Sequence, residues 1–142
     1  MIDLAQLRHI SFFEDFNDSE LDVFASIAAA SHWREGDIVF NYGSPATHLY
    51  IIRSGTVLLT FSKGRSLPLH FPETLGWRSL VSPFRHQATA MCLTDVDLIQ
   101  FSSSELHRVI QMDSKIALQL MERIRYVMME RKPYSRNFHT SR

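Results

Sequence analysis

Apolar residues recur along the chain with two different periods. From Asn17 the segment NDSELDVFASIAAASHW carries Leu21, Phe24, Ala25 and Ile27 or Ala28 at the spacing of one helix face. Asn17 with Glu20 three residues on forms a capping box, in which each side chain satisfies a free backbone N–H at the helix start. The pattern predicts N-terminal helices over 1–32. Over 33–101 the period shortens: His48-Leu49-Tyr50-Ile51-Ile52 and Thr56-Val57-Leu58-Leu59-Thr60-Phe61 are β-branched and aromatic, and Asp95-Val96-Asp97-Leu98 alternates polar with apolar. Glu35-Gly36, Tyr42-Gly43, Ser54-Gly55 and Lys63-Gly64 punctuate this region at strand-length intervals, which suits an antiparallel barrel or sandwich better than a βαβ array.

After Phe101 the helical period returns. Ser102-Ser103-Ser104-Glu105 offers a second capping box ahead of Leu106, Val109 and Ile110, and Asp113-Ser114 caps a longer helix. In that helix Ala117, Leu120, Ile124 and Val127 fall on the a and d positions of a heptad, flanked by Ile116, Met121 and Met128. A stripe this wide serves two partners, so one edge is expected on the barrel and the other against a second copy of the helix in an isologous homodimer. The competing reading packs the whole stripe within one subunit. Pro133 is expected to end the helix and leave 133–142 as a loose basic tail, with 102–132 forming the closing helices of a single domain over 1–132.

With 45% hydrophobic and 21% charged residues among 142, the composition is that of one globular domain with a sizeable core. Fifteen cations balance fifteen anions, so bulk charge gives no reason for adhesion to nucleic acid or membranes, and any ligand must be recruited locally. No apolar run approaches the ~20 residues of a bilayer span. Cys92, the lone cysteine, cannot close an intrachain disulfide, and MIDLAQLRHISF lacks the build of a secretory signal; both point to the cytoplasm. Cys92 lies in the apolar run Ala90-Met91-Cys92-Leu93, the setting of a buried inert thiol.

Candidate chemistry is sparse outside one segment. His9, His32, His48, His70, His86, His107 and His139 contain no H-x-H or H-x-x-x-H pair, so no metal is expected. Ser79 or Ser82 with His86 and Asp95 lacks the glycine pattern of a nucleophile elbow, and a non-enzyme is expected. From Arg123 onward Arg123, Arg125, Arg131, Lys132, Arg136 and Arg142 face only Glu130, a basic end that complements the helix dipole as a solvated helix terminus.

The segment Gly36-Asp37-Ile38-Val39-Phe40-Asn41-Tyr42-Gly43-Ser44-Pro45-Ala46-Thr47-His48-Leu49-Tyr50-Ile51-Ile52-Arg53-Ser54-Gly55-Thr56-Val57 resembles the first half of cyclic nucleotide-binding domains of the catabolite activator superfamily. The resemblance spans nearly the whole chain. It implies a mainly β fold with flanking helices: a jelly-roll β-barrel followed by a long C-terminal dimerisation helix. It also implies a ligand cassette at Leu75 to Ala90, whose candidate contacts are Gly76, Trp77, Arg78, Ser79 and Leu80 at its opening and Arg85, His86, Gln87, Ala88 and Thr89 at its close. In typical members a Gly-Glu pair opens a short helix that holds phosphate and ribose, and a later Arg pairs with the cyclic phosphate. Here Gly76 is kept, Trp77 stands at the glutamate position and His86 at the arginine position.

Each lost charge-assisted contact is worth about 1.5–3 kcal/mol, and 1.4 kcal/mol is about tenfold, so losing both would weaken cyclic AMP binding by several hundredfold or more. Arg85 and Arg78, each adjacent to a replaced position, are candidates to restore a guanidinium. Trp77 either stacks on a ring of the ligand or fills the cavity. The leading expectation is a stand-alone regulatory sensor domain that binds a nucleotide or other small anion with altered specificity, has no other cofactor, and passes the signal to an unknown protein partner. The alternative is a ligand-free interaction scaffold with its pocket filled by Trp77, and behind both stands an ordinary cyclic AMP-responsive regulator. Ten residues follow Lys132, too few for a helix-turn-helix, so no DNA reading by that route and no membrane association are expected.

Overall fold

A computed structural model of the chain describes residues 1–135. Two short N-terminal helices, α1 (Leu4–Arg8) and α2 (Asp18–Ile27), precede eight strands: β1 (Ala28–Trp33), β2 (Ile38–Phe40), β3 (His48–Ser54), β4 (Val57–Phe61), β5 (Ser66–Leu69), β6 (Thr74–Leu75), β7 (Ala88–Cys92) and β8 (Val96–Ser102). Helices α3 (Ser103–Met112) and α4 (Ser114–Ser135) close the chain. The strands form two antiparallel four-stranded sheets, ordered β1-β8-β3-β6 and β2-β7-β4-β5, with the non-consecutive neighbours of a jelly roll.

Side-chain caps explain where helices begin, a full capping box at Asn17 and a single serine cap at Ser102, where Glu105 turns to Arg108 instead of closing the box. Asn17 Oδ1 accepts from the Glu20 N–H at 2.9 Å while Glu20 Oε1 accepts from the Asn17 N–H at 2.8 Å, and Ser102 Oγ accepts from the Glu105 N–H at 3.2 Å. The end of α2 differs from expectation. Helix stops at Ile27, and Ala28–Trp33 pairs in register with β8 from Ala28↔Phe101 to Trp33↔Val96, so the sheet ladder overrides the helical preference of the three alanines.

Strand β3 is buried on both faces, which is why it reads as an uninterrupted apolar run. Leu49 and Ile51 face the helices together with Ile99 and Phe101 of β8, whereas Tyr50 and Ile52 face the barrel interior with Val96 and Leu98. The first sheet thus separates a helix-side core from a barrel-side core.

Helix α4 departs from expectation twice. It passes through Pro133 to Ser135; the late position leaves only one turn to lose a hydrogen bond, and Arg65 Nη1 donates to the Pro133 carbonyl at 3.0 Å while Tyr134 stacks on Phe61 at 6.0 Å. Leu120, Ile124 and Val127 do not offer themselves to a second copy. They are buried with Ile116 in the helix-side core of their own chain, and Ala117 is half-buried. The apolar face left open carries Leu118, Met121, Met128 and Met129 instead. The remainder of the predicted tail, 136–142, lies outside the described residues.

Candidate functional site

The cassette begins where β6 ends. Gly76 has φ +77°, and a Cβ there would collide with the backbone oxygen of His48, so the turn into the single 3-10 turn Trp77–Leu80 requires glycine. Trp77, 9% exposed, does not plug the barrel: its ring joins the helix-side core and only borders the cavity. The Arg78 guanidinium lies 4.7 Å from that ring's centroid and donates from Nη1 to the Ser82 carbonyl at 2.9 Å, while its Nε is buried without a partner. Burial holds the Arg78 pKa below the ordinary arginine value. Ser79 is fully buried with an unpartnered hydroxyl, and it and Leu80 lie away from the cavity.

The closing half of the cassette splits between two directions. Arg85 is exposed and donates from Nη1 to the Gly43 carbonyl at 2.9 Å, fastening the β2–β3 turn; it does not restore the missing guanidinium. Thr89 likewise serves that turn, its Oγ1 accepting from the Tyr42 N–H at 2.9 Å. His86 turns inward. It is buried and stacked on Phe40 with ring centroids 3.6 Å apart and planes 7° from parallel. Burial pushes its pKa down from 6.5 to about 4, so the imidazole is neutral at pH 7 and supplies no cation to the cassette.

Gly76, Trp77, Arg78, His86, Gln87 and Ala88 therefore meet around one partly open cavity of about 30 Å³, lined also by Phe40, Leu59, Phe61 and Arg131. That is room for one or two waters, an order of magnitude below the ~300 Å³ at which small-molecule sites begin. Arg131 is the residue that the sequence reading misplaced. It is 4% exposed, not solvated, and reaches from α4 to donate from Nη2 to the Thr74 carbonyl at 2.8 Å. Neither Arg78 nor Arg131 makes an ion pair among the described residues, and no carboxylate lines the cavity.

Other candidates resolve into structural roles. Among the described residues no cluster of three or more His, Cys, Asp or Glu is placed to hold a metal. His32 Nδ1 lies 2.7 Å from Asp97 on the surface, far from the cassette in sequence and on the β1–β8 pair. Cys92 is buried, and burial together with Asp37 and Asp95 pushes its thiol up to about 11. No helix among the described residues is long and apolar enough to cross a membrane.

The sequence profile of the family described as cyclic nucleotide-binding domain matches residues 30–113. The chain belongs to that family. The fold of this cyclic nucleotide-binding domain is shared with a protein from Geobacter metallireducens GS-15 named for cyclic nucleotide binding, at TM-score 0.85 and 22% identity over 93% of this chain and 99% of that one. The sensor domain of the transcriptional regulator DNR from Pseudomonas aeruginosa matches at TM-score 0.71 and 21% identity, over 91% and 95% of the two chains. The regulatory subunit of a cAMP-independent protein kinase A from Trypanosoma brucei matches at TM-score 0.72 and 16% identity, over 91% of this chain and 44% of that subunit. No protein of curated function matches the chain in sequence.

Proposed function

We propose that this cyclic nucleotide-binding domain is a cytoplasmic, non-enzymatic regulatory sensor that binds a small anion, free or as the head of a nucleotide, at the cassette end of its barrel, with a specificity other than that for cyclic AMP. The observation that carries this reading is a cavity at the Gly76 turn lined by arginine and by no carboxylate. Such a site attracts negative charge, because a half-buried guanidinium without an anionic neighbour gains from an oxyanion what burial has cost it. The glutamate and arginine that would grip a ribose and a cyclic phosphate are absent: Trp77 is committed to the helix-side core and His86 is neutral. A whole nucleotide enters only if the end of α4, with Arg131 and Tyr134, moves off the barrel.

The testing experiment is a thermal-shift and calorimetric screen of cyclic mononucleotides, cyclic dinucleotides, carboxylates and phosphates. A ligand at ~100 times its Kd stabilises by about 2.7 kcal/mol and raises Tm by several degrees. Binding that is tight for cyclic AMP and indifferent to Arg78→Met would overturn the reading. One observation favours a ligand-free scaffold: the Phe40–His86 stack and α4 leave only about 30 Å³ open, and a flat response across the screen would select it. In either case a homodimer would pair α4 through Leu118, Met121 and Met128, and Leu118→Glu with Met121→Glu is expected to leave monomers in sedimentation analysis.

A further inference from the structure

Arg131 is the only Lys or Arg among the described residues that is less than a tenth exposed, and its setting is unlike that of the neighbouring cations on α4. Arg123 pairs with Glu14 at 3.2 Å and Arg125 with Glu122 at 2.7 Å. Among the described residues Arg131 has no ion-pair partner within 4 Å, and its bond to the Thr74 carbonyl uses one of the five N–H donors of a guanidinium. Leaving a buried cation uncompensated costs several kcal/mol in general, so a residue held this way calls for a reason.

The two sides of Arg131 differ. On one side an open cleft of about 560 Å³ between α4, the residues before α2 and the β5–β6 turn carries Glu73 and Glu130, whose fields oppose the loss of charge that burial causes. On the other side is the barrel cavity, where the polar groups are Arg78, Gln87 and neutral His86. The acidic cleft keeps Arg131 charged and repels an anion. The cavity presents that charge, next to a second one, to a space with no carboxylate in it.

We infer that Arg131 is a ligand-binding residue: the cavity holds an oxyanion, a carboxylate or phosphate group, between the Arg131 guanidinium of α4 and the Arg78 guanidinium of the 3-10 turn. This rests on the anion-sensing reading above and deepens it, because it moves the anion's main contact from the cassette to α4. Guanidinium groups bind both oxyanions through paired N–H donors, and a cavity of about 30 Å³, room for one or two waters, takes only the leading oxygens of a head group until α4 yields. Ligand affinity and α4 docking are then reciprocally linked: the anion holds α4 on the barrel, and loosening α4 lowers affinity by the same factor.

The test is calorimetric titration of the full chain with inorganic phosphate, acetate and cyclic AMP, comparing wild type with Arg131→Met, Arg131→Lys and Arg78→Met. The expected result is saturable binding by wild type to at least one probe, weakened tenfold or more in Arg131→Met and only partly restored in Arg131→Lys. The choice of probe separates a phosphate from a carboxylate source. In parallel, the Arg131 Nε–Hε resonance of the wild-type protein is followed through the same titration, a readout that needs no variant to fold. It is expected to shift and saturate at the calorimetric midpoint. Unchanged affinity in Arg131→Met, or an Arg131 resonance that stays still while that of Arg78 moves, overturns this inference and leaves the cassette reading standing. Absence of binding to any probe by wild type sinks both.

Discussion

The first sheet has two sides, and they are built by different rules. Toward the helices, Phe13 meets Phe24, Phe16 and Phe101 at ring-centroid distances of 5.1, 6.0 and 5.8 Å, and the buried charge of α2, Glu20, is paired with Lys115 of α4 at 3.2 Å. Toward the barrel, Tyr50, Ile52, Leu98 and their neighbours are buried together as well, but that interior ends at His86, Arg78 and Arg131. Both cores are served by the same strands, β3 and β8, through alternate residues. The helix side is arranged for stability and the barrel end gives some of it up. Burying a neutral histidine and an unpaired guanidinium is unfavourable unless something else is gained, and regulation by an anion is what such groups can supply.

The contrast breaks most visibly under truncation. Phe24→Ala removes a fully buried ring that contacts Phe13, Phe16 and Phe101, and it is expected to cost about 3–5 kcal/mol in urea unfolding. Phe40→Ala, at a half-buried ring bordering the cavity, should cost less. Equal losses at the two positions would show that the barrel end is as much a packing unit as the helix side.

Titration separates the two sides by sign as well as by size. Folded His86 binds its proton near pH 4, whereas the unfolded chain binds it near 6.5. Between those values the unfolded state takes up more protons, so stability is fully present above pH 6.5 and falls as pH drops toward 4. The loss attributable to His86 is up to about 3 kcal/mol. The helix-side rings contribute nothing to that slope. His86→Phe, which keeps an aromatic face against Phe40, should flatten the window relative to wild type when urea midpoints are measured from pH 4 to 7. An unaltered slope would mean that another group carries the pH dependence.

A smaller effect is expected at the hinge between the cores. Gly76→Ala adds left-handed strain of about 1–2 kcal/mol for an L-residue, and the collision with the His48 oxygen adds to it. The diagnostic readout is denaturant stability beside anion affinity, since a shifted turn would also displace Arg78.

Gly76 was legible only through the family resemblance, which puts a glycine at the opening of the cassette; the positive φ and the close approach of the His48 oxygen that require it are tertiary facts. The alternation at Asp95-Val96-Asp97-Leu98 was legible directly, since one period maps to one buried face, and Val96 and Leu98 are the buried residues at the start of β8. What escaped has a common cause. Ala28–Ala30 prefer helix locally, and only pairing with β8, some seventy residues away, makes them strand. Leu120, Ile124 and Val127 showed the right period, but a period says which positions are apolar, not whether the partner is the same chain or a copy. Arg131 resembled every other cation of a basic helix end until α4 laid it against Thr74. Arg85 and Arg78 looked interchangeable as rescuers of the cassette, and the β2–β3 turn claimed one of them. Each miss is a tertiary contact that overrules a local signal, and three of them touch the barrel end or α4, which border the proposed site.

The smallest predicted effect bears most directly on how the two sides communicate. Tyr134 stacks on Phe61 at 6.0 Å with planes 27° apart, one turn beyond Arg131, so it helps to hold the end of α4 on the barrel while the middle of the helix is anchored by Leu120 and Ile124 on the other core. An aromatic pair of this kind contributes about 0.5–1.5 kcal/mol beyond its buried area. Tyr134→Ala should therefore lower global stability by only about 1 kcal/mol. Its signature is local: amide exchange should accelerate after Val127 and stay unchanged at Leu120 and Ile124, because the helix-side core does not depend on that ring. If protection were lost along all of α4, the helix would be docking as one unit and the two cores would not be separable. If exchange changed nowhere, the stack would be incidental, and the Arg131–Thr74 bond with the Arg65–Pro133 bond would suffice to hold the helix end.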